Sequence, residues 1–143
     1  MPKQKKTWVE KRACASLPQV KIIDKSFAGI PTGSKMLISS PTEIDSFIRS
    51  LPNGTLCEVA KMRQLLAEVH HADATCPVTT GIFLRIVAEA AYEEYLEGKQ
   101  DITPFWRVID PESTLAKKLM ATPAFIVTRR VQENIITTGK AEV

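Results

Sequence analysis

A chain of 143 residues with 44% apolar and 24% charged side chains fits a single globular domain with one core. Three widely spaced cysteines (Cys14, Cys57, Cys76) argue against a disulfide framework, and no apolar run approaches the roughly 20 residues of a membrane helix. With no hydrophobic leader between Met1 and Arg12, a cytoplasmic protein with no membrane partner is expected. The net charge of +3 is unevenly placed. Residues 1–35 hold eight Lys/Arg against Glu10 and Asp24, whereas the rest of the chain is net acidic.

Residues 1–35 read as a basic, partly irregular arm, punctuated by Leu17-Pro18, Ile30-Pro31 and Gly33, that either packs across the rest or stays loose. Val20, Ile22 and Ile23 suit one short strand, and Lys35 to Ser39 is a second short apolar run. Residues 36–143 form the expected domain. Its first helix is signed by Ser40 as N-cap, Pro41 at the first position and Glu43 completing a capping box. Ile44, Phe47, Ile48 and Leu51 then make one stripe, closed by Pro52-Asn53-Gly54.

A second helix is predicted over Glu58–His71, with Val59, Met62, Leu65, Leu66 and Val69 inward. A third starts near Thr79 and runs to Leu96, where Gly98 stops it. Such a pair, joined by a short turn, reads as a helix-turn-helix. After Ile102-Thr103-Pro104 the chain should be extended, because proline bars a helix and biases its predecessor toward β. Leu115–Met120 suits a short helix. Thr122-Pro123 opens a last one over about 123–134, with Val127, Val131 and Ile135 recurring every fourth residue, although β-branched content there also suits a strand.

Three features taken in order carry a resemblance: Leu51-Pro52-Asn53-Gly54-Thr55-Leu56, the helix pair, and Ile102-Thr103-Pro104-Phe105-Trp106-Arg107-Val108-Ile109. Together they resemble the DNA-binding domain of the O6-alkylguanine-DNA alkyltransferases, and especially the alkyltransferase-like proteins, which bind alkylated DNA without repairing it. The resemblance implies an α+β, mainly helical, winged-helix-like fold and a partner in double-stranded DNA. It also implies losses. Phe105 stands at the family's nucleophilic Cys and Trp106 at its activating His, while Pro104, Arg107, Val108 and Ile109 match. Val59 aligns with the family's Tyr, and Gly81 falls near its Arg finger. Alkyl transfer needs an activated thiolate, which neither ring supplies, so the chain is expected to be no enzyme and to need no cofactor or metal.

The candidate DNA contacts are Lys61, Arg63, Thr79, Thr80, Gly81 and Arg85, on and around the third helix's N-terminal half, whose amides favour phosphate. Val59, Phe105, Trp106 and Arg107 are candidate pocket residues. The two rings either offer a stacking surface for a base or pack the core, and their apolar neighbours favour the core. Arg107, alone among apolar residues, should pair with a buried carbonyl or carboxylate. Glu89, Glu93, Glu94 and Glu97 read as a solvated acidic flank. His70-His71-x-Asp73-x-x-Cys76 lacks the paired spacing of a metal site and reads as a helix end. The leading expectation is non-catalytic DNA binding in the context of DNA repair. The alternative is a protein–protein interaction or regulatory module on the same scaffold, to which the acidic balance of residues 36–143 is better suited.

Overall fold

The computed structural model describes residues 6–13 and 17–135, so Lys3, Lys5 and Cys14 lie outside the described residues. The protein is α+β and mainly helical. In chain order come α1 (Trp8–Ala13), β1 (Gln19–Ile22), β2 (Lys35–Ile38), α2 (Pro41–Arg49), α3 (Val59–Val69), β3 (Ala74–Thr75), α4 (Pro77–Leu96), α5 (Thr114–Lys118) and α6 (Thr122–Gln132). A 3-10 turn at Phe105–Arg107 separates α4 from α5. No helix among the described residues is long and apolar enough to cross a membrane.

The sheet has the order β1-β2-β3, with β1 antiparallel to β2 and β3 parallel to it. Among the described residues, only β2 buries side chains on both faces (Met36 and Leu37), so the sheet is a small flange on the helical body. β3 lies in the connector between α3 and α4. The Asp73 and Cys76 amides donate to the Lys35 and Leu37 carbonyls, each at 2.8 Å, and the Thr75 hydroxyl donates to the Arg63 carbonyl at 2.7 Å. What reads in the sequence as a bare turn is therefore a pinned strand that fixes where α4 begins.

α2 forms as its signals predict. The Ser40 Oγ accepts from the Glu43 amide at 3.1 Å, Pro41 fills the first turn, and Ile44 and Ile48 are fully buried. The Glu43 carboxylate, expected to close a capping box, instead takes the Ser39 hydroxyl and the Nε2 of His70, each at 2.5 Å, tying α2 to the end of α3. α4 is the central element, burying Leu84, Val87, Ala88, Ala90 and Ala91. Around it close Leu37, Ile44, Ile48, Met62, Leu66, Phe105, Trp106 and Ile126.

Four expectations need correction. First, the arm, which packs across the rest, carries a helix that its sequence does not signal, α1 against α4. The Glu93 carboxylate accepts the amides of Trp8 and Val9 (3.3 and 3.1 Å), capping α1 from another helix. Arg12 reaches Glu94 with two bonds of 3.0 and 2.8 Å. Second, the α4 carboxylates are therefore no solvated flank. Glu89 and Glu94 are buried, Glu94 holding Arg12 and Lys99 and Glu89 accepting the Met120 amide at 3.1 Å. The Arg12 bond, working against burial, keeps the Glu94 carboxyl below its ordinary range.

Third, the chain after Pro104 is not extended. Pro104 adopts φ −79, ψ 66, and the Phe105 amide donates to the Thr103 carbonyl at 2.8 Å, an inverse γ-turn leading into the 3-10 turn. A fixed proline φ suits a helical entry as well as a strand, and burying two adjacent rings on one side decides between them. Fourth, α6 is a helix, but its inner face carries Ile126 and Arg130, while Val127 and Val131 are exposed. Val69, assigned to the inner face of α3, is exposed as well.

Candidate nucleic-acid interface

Arg107 is the centre of the motif that carried the resemblance, and its surroundings explain why an arginine stands among apolar residues. Its Nε and Nη2 donate to the two oxygens of Glu133 (2.8 and 2.9 Å), and its Nη1 donates to the Leu51 carbonyl at 2.7 Å. Its own carbonyl accepts the Cys57 amide at 2.8 Å. Glu133 also receives the Trp106 Nε1 at 2.7 Å and the Gly54 amide at 3.0 Å. Burial alone would raise the Glu133 carboxyl, but the bonds from Arg107, Gly54 and Trp106 outweigh it and lower it to about 2. Gly54 is required twice over. Its φ is +83, and a Cβ there would lie 3.3 Å from the Glu133 carbonyl oxygen. The stretches 51–56 and 102–109, separate in sequence, are thus joined through Arg107 and Glu133.

Phe105 and Trp106 belong to the core, at 0% and 4% exposure. Phe105 stacks on Phe125 at 5.7 Å between centroids and meets Trp106 edge-on at 5.5 Å, while the Arg129 guanidinium lies 4.8 Å from the Trp106 ring. Neither ring has a free face for a base or for a protein partner. Buried Arg130 holds the turn from behind, donating to the Trp106 carbonyl at 2.7 Å and the Ile109 carbonyl at 2.9 Å. Burial lowers its guanidinium below the ordinary value, against the opposing charges of Asp110 and Glu58. Glu133 and Arg130 both lie beyond the stretch of resemblance. No local pattern in the sequence marks either.

The remaining candidates surround the N-terminal half of α4. A groove of about 740 Å³ runs along it, lined by Val59 of α3, Gly81 and Leu84 of α4, and Val108 and Ile109 after the 3-10 turn. Its polar lining is mixed, with Glu58, Asp110 and Glu112 facing Arg63 and Arg130. Gly81 forms the ridge between this groove and a second one, and nothing lies within 4 Å of where its Cβ would stand. Thr80 is structural, its hydroxyl donating to the Cys76 carbonyl at 2.7 Å. The Thr79 hydroxyl is buried and has no hydrogen-bond partner among the described residues. Lys61 is exposed on α3. Arg85 faces the second groove, with its Nε 3.4 Å from Glu89 and its guanidinium 5.4 Å from the Trp8 ring. Of the pocket candidates, therefore, Val59 lines this groove, while Phe105 and Trp106 pack against Phe125 and Arg107 pairs with Glu133.

The His70-to-Cys76 segment is spread over separate tasks. His70 bonds to Glu43, the Asp73 carboxylate accepts the Lys35 amide at 2.8 Å, and Cys76 is buried ahead of α4. Among the described residues, no group of three or more His, Cys, Asp or Glu side chains is arranged to hold a metal. Cys57 is also buried, and burial pushes its thiol up, against the pull of Lys61.

Comparison with known protein families, with curated proteins and with solved structures finds no match to this chain.

Proposed function

We propose that this chain is a non-catalytic DNA-binding protein of the alkyltransferase-like type, engaging duplex or damaged DNA through residues 55–85. In this reading α3 and α4 are the helix pair of a winged-helix-like unit. The observation that carries it is convergence. Val59 and Gly81, selected because they align with the family's Tyr and finger, meet Val108 and Ile109 of the third matched stretch in a single groove. The first N–H groups of a 20-residue α4, which has no side-chain cap, open beside that groove and favour a phosphate. The groove has no aromatic ring among its described lining residues, and Val108 and Ile109 are buried beneath it, so an extruded base would meet Val59 and Leu56 in place of an aromatic face.

Anisotropy titrations with a duplex oligonucleotide over a range of salt concentrations test the proposal. Replacing Lys61 and Arg63 by Ala should weaken binding and flatten the salt dependence by about 0.9 per lost phosphate contact. Gly81→Arg should act in the opposite sense. The space at Gly81 is open where a Cβ would stand, removing a helical glycine adds ~0.5–1 kcal/mol of stability, and the new cation should steepen the salt slope. A slope indifferent to all three substitutions would move DNA off this face.

Catalytic inertness has its own check. Incubation with O6-alkylated duplex should leave Cys14, Cys57 and Cys76 unmodified by intact-mass analysis, because the motif offers no base and the Cys57 and Cys76 thiols are buried. A stoichiometric mass gain that a Cys→Ser change removes would overturn the assignment as a non-enzyme.

A further inference from the structure

The second groove, about 520 Å³ on the opposite side of the Gly81 ridge, has a different character from the first. Its floor is apolar, made by Trp8 of α1 with Val78 and Ile82 of α4, and the two aliphatic side chains are 52% and 54% exposed. They lie one turn apart on the same face of the helix. Its rim is basic, with Lys11, Arg85 and Lys118 coming from three different helices. Among the described residues, none that lines it is a carboxylate. Glu89, the acid nearest Arg85 on the helix, is turned inward, with a side chain only 4% exposed. Two of the cations approach the Trp8 ring, the Lys11 ammonium 4.2 Å and the Arg85 guanidinium 5.4 Å from its centroid.

A ligand matching this surface needs apolar groups in the middle and negative charge around them. A phosphate backbone satisfies the cations but leaves Val78, Ile82 and Trp8 without apolar partners. The chain's own first five residues carry Lys3 and Lys5 and no acid, so the rim repels them. We propose that the second groove docks an acidic amphipathic helix of a partner protein, its apolar side chains on Val78, Ile82 and Trp8 and its carboxylates facing Lys11, Arg85 and Lys118. This site shares Gly81 and Arg85 with the stretch assigned to DNA, but its apolar centre and its test do not depend on that assignment.

The test is a heteronuclear NMR titration of the full chain with a synthetic helix-forming peptide that has Leu along one face and Glu flanking it. The control peptide has Lys in place of every Glu, and a duplex oligonucleotide is titrated separately. The acidic peptide should shift the amides around Val78, Ile82 and Lys118 saturably and bind at least about tenfold tighter than the control, with the gap narrowing as salt rises. Ile82→Glu should weaken that binding about tenfold or more without changing the melting temperature, because the side chain is exposed. Equal affinity for both peptides, or no saturable shift, would overturn the proposal. So would duplex DNA claiming these amides while the acidic peptide leaves them unmoved. Self-association of the chain alone that Ile82→Glu abolishes would assign the groove to a second copy and overturn it too. Failure of DNA binding is read independently, on the Lys61 and Arg63 salt slope.

Discussion

Trp106→Ala should lower the unfolding free energy by ~3–5 kcal/mol, the range for removing a large buried ring. Three losses combine at this position. The ring is 4% exposed and contacts Phe105 and Phe125 edge-on, with centroids 5.5 and 6.2 Å apart, so its removal leaves a cavity between 3-10 turn and α6. The Arg129 guanidinium loses the aromatic face 4.8 Å away. Glu133 loses a donor at 2.7 Å while still buried beside Arg107. Urea denaturation monitored by circular dichroism measures the cost. A variant within 1 kcal/mol of the native chain would show the ring to be dispensable to the core, contrary to its packing.

Glu133→Gln should be comparably costly at neutral pH and, unlike the tryptophan change, should reshape the dependence on pH. The folded carboxyl is lowered from its ordinary 4.5 to about 2, so it binds its proton less readily folded than unfolded. A depressed folded value means stability that is complete above 4.5 and is lost progressively as pH falls toward about 2. The size is about 3 kcal/mol, from 1.36 kcal/mol for each unit of difference. The native chain should therefore lose this contribution across that acid window. Glu133→Gln, with no proton to take up there, should show a flatter profile and start from a lower plateau. Parallel profiles for the two proteins would mean that the Arg107–Glu133 pair carries no linkage to folding.

How far the sequence predicted these results depends on where each signal lies. α2 was legible because its evidence is local: Ser40, Pro41 and a four-residue apolar stripe sit within one segment. α6 was legible as a helix but not in its orientation. A buried Arg130, satisfied by two backbone carbonyls, occupies an inner position that hydrophobic periodicity assigns to Val127 or Val131. β3 carried almost no signal, since two residues take their strand geometry from pairing with β2 alone. Of the pocket residues expected from the resemblance, Val59 lines a groove, whereas Phe105 and Trp106 are buried and Arg107 is tied to Glu133. Glu133 could not be chosen in advance, because nothing near it in sequence indicates a partner 26 residues away. The basic groove was equally hidden, since Trp8 and Lys118 become neighbours only through α4 and α5.

The cross-helix cap on α1 also sets the order in which the chain can be completed during synthesis. A six-residue helix does not hold its shape alone in water, and the carboxylates that secure it lie 82 to 85 residues downstream at Glu94 and Glu93. At about 5–20 residues per second, a ribosome needs roughly 4–17 s to deliver them after α1 has been made. Throughout that interval the Trp8 and Val9 amides lack their cap, and Arg12 has Asp45 of α2 but not yet its closer partner Glu94. The first helix of this protein is then among its last to be secured.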